Sequence, residues 1–260
     1  FRSVELLSVW CWVYNLRMNK IADRLNLVIA STFVISIFFG ITTAQAESGK
    51  YKSDLNSAKQ AVQRGDGERA LLELSRLAGE GDSEAQYELG MLYADGKLIK
   101  RDSNRALLAL TLAFENGLHK AGVERNRQAA KINLIQLAAL QEQLAELFKN
   151  GGPVKVDPTR EANWLGKRVL NPVPFNSSER SEERGAMARR AGNIFELQIL
   201  DFTTAHIWYS LSYALGNRRA ELDRKRMELF LQPQSISKAQ SGAMELYKKY
   251  LTELQLSTKN

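Results

Sequence analysis

The feature that most constrains this chain is its agreement with itself at fixed spacings. At an offset of 36, Asp66, Ala70, Leu71, Leu72, Leu74, Gly81 and Ala85 match Asp102, Ala106, Leu107, Leu108, Leu110, Gly117 and Ala121. At an offset of 55, Gln86, Leu89, Leu92, Gly96, Asp102, Arg105 and Leu110 match Gln141, Leu144, Leu147, Gly151, Asp157, Arg160 and Leu165. At an offset of 99, Ala106, Leu112, Gly117, Ala121, Gln141 and Leu147 match Ala205, Leu211, Gly216, Ala220, Gln240 and Leu246 in a run without a gap. Small, apolar and glycine positions recurring this way mark a structural repeat, and a repeat buries its apolar face only against its neighbours.

Each unit has the pattern of a helical hairpin. Ala85, Leu89 and Leu92 recur at i, i+4 and i+7, an apolar stripe on one helix face. Asp95-Gly96 ends that helix, because glycine adopts the left-handed conformation without a side-chain clash. Asp102 is the expected N-cap of a second helix that Asn116-Gly117 terminates. No proline occurs before Pro153, so nothing interrupts these helices in the first half. The pattern predicts helices over 52–64, 67–79, 83–94, 103–116, 119–131, 136–149, 158–169, 179–195, 202–215, 218–230 and 235–255. No alternating stretch argues for a strand. The expected fold is all-α, a solenoid of stacked antiparallel helix hairpins with no β-sheet. Residues 47–170 hold its first half, a loop with Pro172 and Pro174 spans 171–178, and residues 179–260 hold the second half and the capping helices.

The N-terminal part has another character. Lys20 and Arg24 precede an apolar run from Leu25 to Ile41, and Ala44-Gln45-Ala46 follows with the small-x-small pattern of a signal-peptidase site. This predicts a signal peptide over 18–46 with cleavage after Ala46, a periplasmic or secreted product, and only transient contact with the membrane. The alternative is an uncleaved anchor, although the run falls short of the ~20 residues that span a bilayer. Residues 1–17 look like upstream sequence. The single cysteine, Cys11, lies there, so an exported chain from Glu47 has no disulfide and no thiol chemistry.

The stretch Ser83–Gly117 resembles a Sel-one-like repeat, a relative of the tetratricopeptide hairpin. Ala85, Gln86, Tyr87, Leu89, Gly90, Tyr93, Gly96, Asp102, Ala106 and Gly117 match that motif in place. The motif's tryptophan position is Ala109 here, a departure; Trp164 and Trp208 restore the aromatic in later units, alongside Gly151, Asp157, Ala205, Gly216 and Ala220. The resemblance implies a right-handed α-solenoid and a role as adaptor or assembly scaffold. It names no single activity.

Chemistry has little support. His119 and His206 fall at unrelated repeat positions, outside any H-x-x-x-H or H-E-x-x-H spacing, and there is no G-x-S-x-G or phosphate loop. No enzyme, metal or cofactor is expected. Trp164, Trp208, Tyr209, Tyr213, Phe114 and Phe148 are expected to pack as core. The formal net charge is +7. Its basic clusters at 180–190 and 218–226 are interleaved with carboxylates, the pattern of solvated, ion-paired faces rather than a nucleic-acid stripe. The expected function is a non-catalytic hold on a protein partner in a groove formed by the first helices, with Tyr87, Glu88 and Met91 as contact candidates. Rival readings are a scaffold for envelope polysaccharide assembly or export, and an enzyme acting on cell-wall material.

Overall fold

The computed structural model describes residues 54–174 and 181–257, and residues from Ser57 onward form one compact unit. The leader expected over 18–46, its cleavage point after Ala46, and the upstream segment 1–17 lie outside the described residues. Eleven α-helices and no strand occur among the described residues. They are α1 (54–63), α2 (Gly67–Gly79), α3 (Ser83–Asp95), α4 (Ser103–Glu115), α5 (Ala121–Ala129), α6 (Leu134–Asn150), α7 (Pro158–Leu170), α8 (Ser181–Ile194), α9 (Phe202–Ala214), α10 (Ala220–Glu228) and α11 (Pro233–Ser257). A π-helical turn, Phe195–Ile199, joins α8 to α9.

Acidic and amide side chains start most of these helices. Asp66, Asp82, Asp102, Asp157 and Asp201 each accept a backbone N–H of the first turn, at 2.7–3.1 Å. Asn133 forms a reciprocal box with Gln136. Such caps satisfy amide donors that the helix itself leaves unpaired. At the other ends, Gly117 and Gly216 sit at φ +94° and +97°, a conformation an L side chain resists.

The helices stack as a solenoid of hairpins: α3 on α4, α6 on α7, α8 on α9, each pair laid on the next. Ala85, Ala106, Ala121, Ala205 and Ala220, at repeat-equivalent small positions, are fully buried. Gly90 lets α3 approach α4, since a Cβ there would lie 2.6 Å from Leu110 Cγ. One apolar core runs from Leu107 in α4 through Phe148, Trp164, Trp208 and Tyr209 to Met227 in α10. It crosses the proline-bearing loop without a break. Arg184 of α8 reaches under that loop and donates to the carbonyls of Val169, Asn171 and Val173. Residues 175–178 of the expected loop are outside the described set.

The aromatic series divides. Trp164, Trp208, Tyr209 and Phe148 are buried as expected, but Tyr213 is 46% exposed and Phe114 is only half-buried. Tyr213 follows buried Leu211 and Ser212 and turns outward on the last turn of α9. Phe114 lies near the surface, where Arg125 covers its ring at 4.2 Å and His119 meets it edge-on.

Candidate functional site

Two hollows flank α3. The first has a volume of about 670 Å³ and is mostly apolar. Ala78 of α2, Leu89 of α3, Leu108, Ala109 and Leu112 of α4 and Leu140 of α6 form its walls. Ile135, 67% exposed, stands at its edge. One end is closed by a polar knot. The buried Gln86 donates to the carbonyls of Ala78 and Pro153, and Asn116 donates to Gln86 Oε1 and to Pro153 O. The α6–α7 loop is thereby pinned back onto α3 and α4, so the hollow has fixed walls. Rigid walls lower the ordering cost of taking up an occupant.

Among the described residues the only charged side chain lining this cavity is Arg105. It donates to the Tyr93 hydroxyl at 3.3 Å, lies 5.6 Å from that ring's centroid, and pairs with Asp102 at 3.4 Å. A concave, apolar site with few polar groups, within the usual ~300–1,000 Å³, is the ordinary form of a binding pocket.

The second hollow, about 360 Å³, lies on the other flank of α3 and is rimmed by charge. Here are two of the three contact candidates, Glu88 and Met91, with Lys97, Arg127 and Lys131. Glu88 is paired to Lys59 at 3.2 Å. Tyr87 is on neither lining; Lys120 covers its ring at 4.7 Å and is itself held by Glu84 at 2.7 Å. The three candidates therefore do not converge on one apolar surface. The apolar residues of α3 that do are Leu89 and Tyr93, both positions of the repeat motif.

The basic clusters are paired, many across helices. Arg190 of α8 bridges Glu146 of α6 and Glu161 of α7, Arg189 binds Asp223 of α10, and Arg226 binds Glu196. Burial alone would raise the Glu196 carboxyl pKa, but hydrogen bonds from Arg226 and Tyr209 hold it below the ordinary value. Lys225 and Arg224 are satisfied within α10 by Glu221 and Glu228. The exposed pairs within α10 contribute roughly 0–1 kcal/mol each, and the pairs together leave no unmixed cationic stripe among these residues.

The histidines stay apart. His119 is exposed beside Phe114. His206 is fully buried, with Nε2 3.2 Å from Glu228 and Nδ1 3.3 Å from the Ser210 hydroxyl. Among the described residues no group of three or more His, Cys, Asp or Glu is placed to hold a metal ion, and no helix is long and apolar enough to cross a membrane.

Part of the repeat identified above coincides with matches to a known family. The Sel1 repeat pattern matches residues 83–108, 106–142 and 196–217. Three stretches of the chain are thus Sel1 repeats. The first match takes in α3 and the start of α4, the second the rest of α4, α5 and the first half of α6, and the third α9 with its terminating Gly216. Among solved structures it is similar to the crystal structure of c5321, a protective antigen present in uropathogenic Escherichia coli strains displaying an SLR fold. Identity is 21% over 74% of this chain and 43% of that one, with a TM-score of 0.36. The chain thus spans less than half the length of that protein. No curated protein matches the sequence. Sel1-repeat chains generally act as protein-interaction adaptors.

Proposed function

We propose that this Sel1-repeat chain is a non-catalytic adaptor or assembly scaffold that holds a segment of another protein in the cavity bounded by α2, α3, α4 and α6. The observation that carries the reading is that cavity: apolar, pre-formed, and walled by the interlocked Gln86, Asn116 and Pro153. We infer further that the chain works outside the cytoplasm, in the periplasm or as a secreted protein, because Ala44-Gln45-Ala46 follows an apolar run.

Cross-linking from a photoreactive residue placed at Ile135, at the cavity edge, followed by mass spectrometry of the adduct from host cells, tests the first part. A single recurrent protein species is expected, and its absence in a chain with the cavity filled confirms the route. Adducts spread evenly over abundant proteins would overturn the adaptor reading. The terminus of the protein isolated from its host tests the second. Glu47 is expected, and a form intact from Met18 would refute export by cleavage.

A further inference from the structure

The cavity has a counterpart elsewhere in the same chain, and there it is full. At the offset of 99, Ala109 corresponds to Trp208; at the offset of 55 it corresponds to Trp164. Trp208 lies over Gly166 of α7, so near that a Cβ on Gly166 would sit 2.6 Å from the indole Cη2. The offsets of 36 and 55 together carry Gly166 back to Ser75 of α2. Ser75 and Ala109 both line the cavity. The setting of α2, α4 and α6 is therefore the setting of α7, α9 and α11, with the indole taken out.

We propose that the cavity at Ala109 is a docking pocket for an aromatic side chain, tryptophan or phenylalanine, presented by a partner protein segment with a carboxylate beside it. The proposal rests on the adaptor reading and narrows it to one anchor. The shape argument is the missing indole. The charge argument is Arg105, a cation on a wall whose lining includes no carboxylate. A guanidinium offers five donors in a fixed fork, and Tyr93 and Asp102 engage only part of that set. An acidic group entering beside the aromatic meets attraction, and a basic one meets repulsion. Buried aromatic anchors of this kind dominate the energetics of protein interfaces.

The full chain can be titrated with small probes that carry each part of the anchor. N-acetyl-tryptophan, an indole with a carboxylate, is expected to shift the amide resonances of residues 105–112 and to raise the thermal midpoint. N-acetyl-tryptophanamide, which lacks the charge, is expected to bind severalfold more weakly. Ala109→Trp fills the seat and is expected to abolish both responses while leaving the helical circular-dichroism spectrum intact. Should that variant fail to fold, Ala109→Leu must weaken binding at least tenfold. Arg105→Gln is expected to erase the difference between the two probes without removing the amide's binding. Preference for sub-micellar dodecanoate over N-acetyl-tryptophan would overturn the proposal in favour of an acyl chain. A concentration-dependent dimer lost in Ala109→Trp would overturn it in favour of a second copy. An unchanged response in Ala109→Trp overturns it outright. If Ala109→Trp still cross-links the same host protein from Ile135, the adaptor reading stands and only the aromatic anchor falls.

Discussion

Residues 103–150 and 202–249 follow one helical programme at an offset of 99 and pack to different ends. Ser103–Glu115 maps onto Phe202–Ala214, Ala121–Ala129 onto Ala220–Glu228, and Leu134 onto Pro233, the first residues of α6 and α11. In the second module α11 lies along α9. Ala239 and Ala243 are buried there, and Gly242 meets Ile207 so closely that a Cβ would be 3.1 Å from Ile207 Cδ1. In the first module the same positions are Leu140, Leu144, Gln143 and Leu108. Leu144 and Phe148 turn into the core shared with α7, while Leu108, Leu140 and Gln143 face an open cavity. Bulk on α6 and the loss of an indole at Ala109 together keep α4 and α6 apart. Small residues and Trp208 close the equivalent seam. A repeat can thus keep its register and still exchange a packed core for a cavity, through few substitutions.

The comparison breaks most visibly at Trp208. Trp208→Ala should reproduce in the second module what Ala109 does in the first, but in a place whose neighbours are packed around an indole. Removing a buried tryptophan costs about 3–5 kcal/mol, a large share of the ~5–15 that holds a domain. Equilibrium urea unfolding should show the unfolding free energy falling by that amount, read as a lower midpoint at unchanged slope. A loss below about 1 kcal/mol would mean that the two seats are not equivalent, and the cavity would need another explanation.

The next effect should be equal in the two modules. Gly117→Val and Gly216→Val each place a β-branched residue at φ above +90°. Nothing lies within 4 Å of a Cβ built at Gly117, so its cost is backbone strain rather than collision. About 1–3 kcal/mol is expected for each, read as a lower thermal midpoint. Unchanged midpoints for both would undo the shared register.

That register was open to sequence reasoning because its signals are local. An Asp cap and a following glycine delimit a helix wherever they stand, and α2 spans the expected 67–79. Where the cap is missing the boundaries drifted. Lys120 and Arg219 make no side-chain cap, and the turns before α5 and α10 close through bonds from Ala121 to Leu118 and from Ala220 to Asn217. Both helices are accordingly nine residues long, not thirteen. The π-helical turn at 195–199 had no such marker, since Leu200 takes φ +62° where a glycine would have announced it. Its geometry shows only in what it places: Glu196, which accepts from Tyr209 and Arg226. The cavity was half legible. Ala109 departs visibly from the aromatic register, but whether neighbouring helices collapse over a missing side chain depends on residues in three other helices.

The smallest expected difference between the modules concerns acid. His206 occupies the position of Leu107, and both are buried. Burial pushes the imidazole pKa below its ordinary 6.5, against the pull of Glu228 and with a further push from Arg224. An unfolded chain therefore binds a proton at a pH where the folded chain does not. The stability that His206 contributes is whole above pH 6.5 and declines as pH falls from there to its depressed native value. Glu196 and Glu146 are also held below their ordinary 4.5, so their loss begins only in more acidic solution. His206→Leu installs the residue of the first module. Glu228 keeps Arg224 at 2.6 Å, so no carboxylate is stranded. Urea midpoints measured from pH 8 down to pH 5 should slope in the parent below 6.5 and stay flat in His206→Leu until the carboxylates begin to titrate. Parallel slopes in both chains would place the acid sensitivity elsewhere, and the second module would then differ from the first only in how tightly its last helix closes.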